Sequence, residues 1–120
     1  LKQFKKNIMN TYKWDCKYVE VYTSYTDEKG ITEPLVIFKV NWKLIVSDGL
    51  GNGATTEGLQ TLNIDNLSNF QGFDTITNAQ VTEWVKTSMG VSQVEMEKLS
   101  ADNLLQSIIN PVTQILTLNN

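Results

Sequence analysis

The sequence contains no histidine, and all ten of its basic residues are lysine, so it contains no arginine either. The first absence excludes Ser-His and Cys-His catalysis and imidazole-ligated metals. The second excludes arginine fingers and bidentate guanidinium reading of phosphate or guanine. A single cysteine, Cys16, excludes an internal disulfide. No window approaches the roughly 18–20 continuous apolar residues of a membrane span. The basic stretch Leu1–Ile8 lacks the apolar run and small-residue cleavage site of a signal peptide. A net charge of −3 and a pI near 4.8 argue against a nucleic-acid partner, which favours a basic face. These absences together lead to the expectation of a soluble chain with no nucleic-acid partner and no membrane partner.

What is present suffices for one core. With 120 residues, 41% of them hydrophobic, the chain can bury roughly two-thirds of its unfolded surface without disulfide or metal. Residues 1–60 hold eight lysines against seven acids, while residues 61–120 hold two against six, so the second half is acidic. Tyr12, Trp14, Cys16 and Tyr18 alternate with Lys13, Asp15 and Lys17, the period of a half-buried strand. Val19 and Val21 break that phase and predict either a bulge or a crossing into a second environment near Tyr18. Asp27-Glu28-Lys29-Gly30 is a polar turn, and Pro34 restarts the chain in extended form. Val36, Phe38, Val40, Trp42, Leu44 and Val46 then occupy one face of a second strand, central by its apolar ends. It closes at Ser47-Asp48-Gly49. A weaker edge strand is predicted from about Thr55 to Ile64, followed by a loop pinned by Phe70 and Phe73.

Two helix starts follow. Thr77-Asn78-Ala79-Gln80 is a capping box, bracketed by Ile76 and Val81 as a hydrophobic staple. Ser92-Gln93-Val94-Glu95 repeats the device, with Val91 and Met96 as its staple. Gly90 between them suits a left-handed helix end. The helices are predicted over about 78–89, burying Val81, Trp84, Val85 and Met89, and about 93–109, with Ala101, Leu104, Leu105 and Ile108 on one stripe. Asn110-Pro111 ends the second. The fold class is therefore α+β: a small antiparallel sheet of about three strands or more, then two short capped helices. Residues 1–10 read as a basic N-terminal extension, 11–111 as one domain, and 112–120 as a C-terminal tail, apolar at Val112, Ile115, Leu116 and Leu118, that either docks as a short strand or reaches a neighbouring subunit.

No catalytic grouping can be assembled, so no catalytic, cofactor-binding or metal-ligating residue is assigned, and the protein reads as a non-enzyme. Asp48-Gly49-Leu50-Gly51-Asn52-Gly53 is the segment most like a site. No Gly-Lys-Ser/Thr follows to make a phosphate cradle, and Asp48, Asn52 and Glu57 lack the spacing of a calcium loop. Asp27-Glu28 sits in a turn, Glu95 and Glu97 lie on different faces of a helix start, and Asp65 and Asp74 flank a loop with no basic or nucleophilic partner nearby in the chain. Cys16 reads as a small half-buried filler. Most aromatic residues are in phase with core faces; Tyr22 and Tyr25 are the exposed ones and, with Ile115, Leu116 and Leu118, are the interface candidates.

The order of motifs carries a resemblance. It runs from Tyr12-Lys13-Trp14 through Val36-Ile37-Phe38-Lys39-Val40-Asn41-Trp42, Ser47-Asp48-Gly49 and Phe70-Gln71-Gly72-Phe73. It ends with Ile76-Thr77-Asn78-Ala79-Gln80-Val81-Thr82-Glu83-Trp84-Val85 and Ile109-Asn110-Pro111. This resembles a family of small uncharacterised proteins of tailed bacteriophages, frequent in marine and cyanobacterial phages, over most of residues 11–111. Members of that family begin just before the Tyr-Lys-Trp strand, which makes Met9 the family-like start. They tend to finish in a proline-rich, Trp-terminated tail that Thr113–Asn120 does not reproduce. The resemblance implies a phage-encoded binding module. The expected role is a virion accessory protein in head decoration, neck or tail, partnered by other phage structural proteins or by itself as a homo-oligomer. Its location would be the virion or the cytoplasm of the infected bacterial host. Two alternatives stand beside it: a non-virion phage protein that binds and redirects a host protein, and a small calcium- or ligand-binding domain using the Asp48–Gly53 loop.

Overall fold

A computed structural model describes residues 9–111 and 113–119. Leu1–Ile8, most of the expected basic extension, and Val112 and Asn120 of the tail lie outside the described residues. Three antiparallel strands, β1 (Thr11–Thr26), β2 (Thr32–Ser47) and β3 (Gly53–Thr61), form a sheet in the order β1-β2-β3. Helices α1 (Asn78–Met89) and α2 (Val91–Ile109) follow, an α+β arrangement. As its apolar ends predicted, β2 is central. Its register sets Tyr12 opposite Val46 and Thr26 opposite Thr32 on one side, and Ser47 opposite Gly53 on the other.

Two irregularities decide which side chains face inward. Between the Asp15–Lys43 and Tyr18–Asn41 pairs, β1 carries one extra residue. This is the bulge, one of the two readings of the phase break near Tyr18, and it turns Tyr18 outward while Cys16 stays fully buried. The second lies in β2, where Glu20 faces Lys39 but Val21 faces Ile37, so Phe38 is unpaired. The expectation of one unbroken apolar face from Val36 to Val46 is corrected here. Val40, Trp42, Leu44 and Val46 face the core as predicted, but the bulge replaces Phe38 with Ile37 on that face.

The core side of the sheet is covered by the helices. Val40, Leu44, Val46, Val85 and Leu105 are all at most 2% exposed. Each contributes about 1.5–3 kcal/mol relative to an exposed position. Gly58 on β3 lies under the Trp42 indole, where an added Cβ would sit 2.6 Å from Trp42 Cζ2. The third strand ends earlier than predicted. Its last ladder bond runs from the Leu62 N–H to the Phe38 carbonyl at 2.9 Å. Asn63 then accepts the Asp65 N–H at 2.8 Å and bends the chain away. Leu62 and Ile64 thus belong to a loop.

The first capping box forms as the sequence predicts. Thr77 Oγ1 accepts the Gln80 N–H at 3.2 Å, and Gln80 Oε1 accepts the Thr77 N–H at 3.0 Å. Ile76 and Val81 join the same apolar cluster. The second box does not form. The Gly90 carbonyl already accepts the Val94 N–H at 3.0 Å, so helix α2 has begun before Ser92 is reached. Val91 and Met96 are exposed rather than stapled. Gly90 caps both helices at φ 93°, ψ 154°, an extended conformation at positive φ instead of the predicted left-handed helical one. On α2 only Ala101 and Leu105 are buried; Leu104 and Ile108, expected on the buried stripe, are exposed, because Lys98 and Asp102 turn toward Tyr12 instead. Phe73, expected to pin the loop, is also exposed, in a short turn of 3-10 helix at Phe73–Thr75.

The two boxes separate in a mutational test. Thr77→Ala is expected to cost about 1 kcal/mol in denaturant unfolding, while Ser92→Ala stays near neutral. In the same assay Gly58→Ala is expected to cost about 1–3 kcal/mol, because the Trp42 ring must shift inside a packed core.

Candidate functional site

Both hairpin turns are closed by one device, an aspartate at the head of the turn. Asp27 Oδ1 accepts the N–H groups of Lys29 and Ile31 at 2.9 and 2.8 Å. Asp48 Oδ1 accepts those of Leu50 and Asn52 at 2.7 and 3.1 Å. The second oxygens differ. Asp48 Oδ2 accepts Asn52 Nδ2 at 2.8 Å, inside its own turn. Asp27 Oδ2 accepts the Leu67 N–H at 2.8 Å, a contact across forty residues. These hydrogen bonds hold both carboxyls below the usual carboxylate range, led by the Leu67 N–H for Asp27 and the Asn52 amide for Asp48.

The Asp48–Gly53 segment is therefore a hairpin turn whose acid is saturated by its own donors, and Glu57 sits apart on β3 opposite Lys43. Among the described residues, no group of three acids or cysteine is placed to hold a metal ion. Among the same residues, no helix is long and apolar enough to cross a membrane. Cys16 is fully buried, and burial pushes its thiol pKa up, which disfavours the nucleophilic thiolate. Its N–H, freed from the ladder by the bulge, donates to Asn78 Oδ1 at 2.8 Å, and Asn78 Nδ2 donates to Asp15 Oδ1 at 3.0 Å. The start of α1 is thereby anchored on β1. At the other end of the helical layer, Tyr12 donates to Asp102 at 2.7 Å. Burial, then the Asp102 hydrogen bond and charge, push its phenol up to about 12.

Asp27 also builds a surface feature. By holding Leu67 it folds residues 62–71 against the start of β2 and the side of α1, and a groove of about 340 Å³ opens between them. Leu35, Leu62, Phe70 and Trp84 line it, and Asn63 and Asn69 stand among them. No lining residue carries a charge. Gln71 and Gln80 brace this wall through reciprocal amide bonds of 3.2 and 3.1 Å. Leu35 adopts φ 52°, a left-handed conformation that costs a non-glycine residue roughly 1–2 kcal/mol. Asparagine tolerates this conformation better, so leucine sits here at a steric cost.

The predicted interface residues form two separate groups. Tyr22 stacks on Tyr25 with ring centroids 5.3 Å apart and on Phe38 at 4.1 Å, on the outer face of the sheet. Ile115, Leu116 and Leu118 stand in a segment without regular secondary structure and are 78–101% exposed. The two groups do not meet. Phe38 joins the tyrosines only because of the β2 bulge. The groove escaped sequence reading altogether, although the consecutive apolar run Leu35-Val36-Ile37 was a signal that one of its members would lack a place in the core.

The chain belongs to a family whose model, described as a domain of unknown function (DUF7936), matches residues 9–118. No curated protein and no solved structure matches it.

Asp27 and Asp48 link stability to pH. Their folded pKa values are depressed, so their contribution is present above the unfolded carboxylate value of about 4 and is lost as pH falls through the folded values. Asp27→Asn presents an amide to the Leu67 N–H if Oδ1 keeps its turn bonds. It is expected to lower the neutral-pH melting midpoint, flatten the acid limb of stability, and remove the hydrogen-exchange protection of the Leu67 amide.

Proposed function

We propose that this protein is a phage-encoded, non-enzymatic binding module that serves as an accessory subunit of the virion, in head decoration, neck or tail. The motif order resembling small tailed-phage proteins supports the phage assignment. The saturated Asp27 and Asp48 carboxylates and the buried Cys16 thiol support the non-enzymatic one. One observation carries the binding role: an uncharged apolar groove and an uncharged, exposed apolar segment occur on the same chain. Apolar surface left open in this way is characteristic of a protein that is completed by a partner.

Mass spectrometry of purified particles from a phage carrying the gene tests the assignment. The protein is expected at stoichiometric levels in particles. Its presence in infected cells together with its absence from particles would overturn the virion role and favour a protein that binds a host target.

A further inference from the structure

We infer that residues 113–119 of one copy dock in extended form in the groove of a second copy, whose own residues 113–119 dock reciprocally in the first. This inference rests on the binding-module reading and names its nearest partner, the chain itself.

The two surfaces match in chemistry. The chain has 23 charged residues, yet none lines the groove and none lies between Asn110 and Asn120. A charged ligand would find no counter-charge in the groove. An uncharged extended peptide finds an apolar floor at Leu62 and Trp84, and side-chain amides at Asn63 and Asn69 for its backbone groups. In an extended segment Leu116 and Leu118 share one face, and Ile115 lies on the other beside Thr117. Leu116 and Leu118 thus enter the groove together while the backbone meets the amides. At the groove mouth, Leu35 is held at its costly positive φ, and it supplies apolar contact that a relaxed asparagine would not.

Position favours a second copy over the chain's own groove. Leu35 and Ile37, at the beginning of β2, line the groove. Helix α2, which leads into the segment, is fastened at the opposite end of the sheet, where Asp102 bonds Tyr12 and Tyr12 faces Val46. From Ile37 to Val46 the strand runs about 30 Å. The segment stands free of its own groove, with Ile115 fully exposed. Two molecules related by a twofold axis satisfy each other, and the exchange closes without leaving an open end. One segment alone covers less than the roughly 1,200 Å² of a stable interface. Reciprocal exchange doubles the area, and the exposed Leu104 and Ile108 on α2 extend it.

Light scattering and sedimentation of the full 120-residue chain test this directly. The expected mass is twice the 13.6 kDa of the chain at micromolar concentration. Leu116→Asp with Leu118→Asp removes the docking face at positions already exposed. Thr87→Lys places a charge on the groove wall at an exposed helical site. Each variant is expected to weaken dimerisation at least tenfold with circular dichroism and melting unchanged at low concentration. Mixing the two restores one intact segment–groove pair and sets the introduced carboxylates against the introduced ammonium in the other, so both pairs can form and a mixed dimer is expected. A monomeric wild type, a dimer indifferent to both variants, an assembly larger than two copies, or no recovery on mixing would overturn the exchange. Particle mass spectrometry is blind to all of these, so loss of the exchange leaves the virion role standing, and loss of the virion role leaves the exchange standing.

Discussion

The Asp27 carboxylate is the group on which both the sheet's first turn and the groove's outer wall depend. One of its oxygens closes the β1–β2 hairpin, and the other holds Leu67 from a loop that has no regular structure to hold it. A carboxylate is suited to this because it accepts several N–H bonds at once, and bonds to a charged acceptor are stronger than neutral ones. Asp27 is only 6% exposed, so the cost of burying its charge is offset by the three N–H groups directed at it. Asp48 uses the same turn geometry, yet spends its second oxygen locally, and no wall is built there.

The bulges have an effect out of proportion to their size. Strand side chains alternate, so one extra residue inverts every later position on that strand. The β1 bulge keeps Cys16 inside, sends Tyr18 out, and frees the Cys16 N–H for Asn78, which ties the first helix to the sheet. The β2 bulge moves Phe38 out, where it stacks with Tyr22. A half-buried sheet thus acquires an aromatic outer patch without any change in the composition of its strands.

The fold leaves apolar surface uncovered. Polar side chains are largely committed to turns, caps and bulges, and charged residues are kept out of the groove. Leu35 is exposed at the groove, and Ile115, Leu116 and Leu118 are exposed in residues 113–119.

Sequence reading reached the elements but only part of the surface. The period of two along Val40, Trp42, Leu44 and Val46, the Thr77–Gln80 cap and the aspartate turns are decided within a few residues. The absence of histidine and arginine limits the chemistry wherever the chain folds. The apolar character of Ile115, Leu116 and Leu118 was equally legible, but whether they pack on the fold or stand exposed was not, and the structure leaves them exposed. Tertiary structure decided the rest. Ser92 and Glu95 carry a valid cap pattern that goes unused, because a Gly90 carbonyl already engaged by Val94 sets the helix start upstream. The groove joins residues from β2, a loop and a helix, and no local pattern connects them. Which of Ile37 and Phe38 faces inward, and whether Leu67 meets Asp27, depend on strand register and on hydrogen bonds made across the fold, and these exist only once the chain has closed on itself.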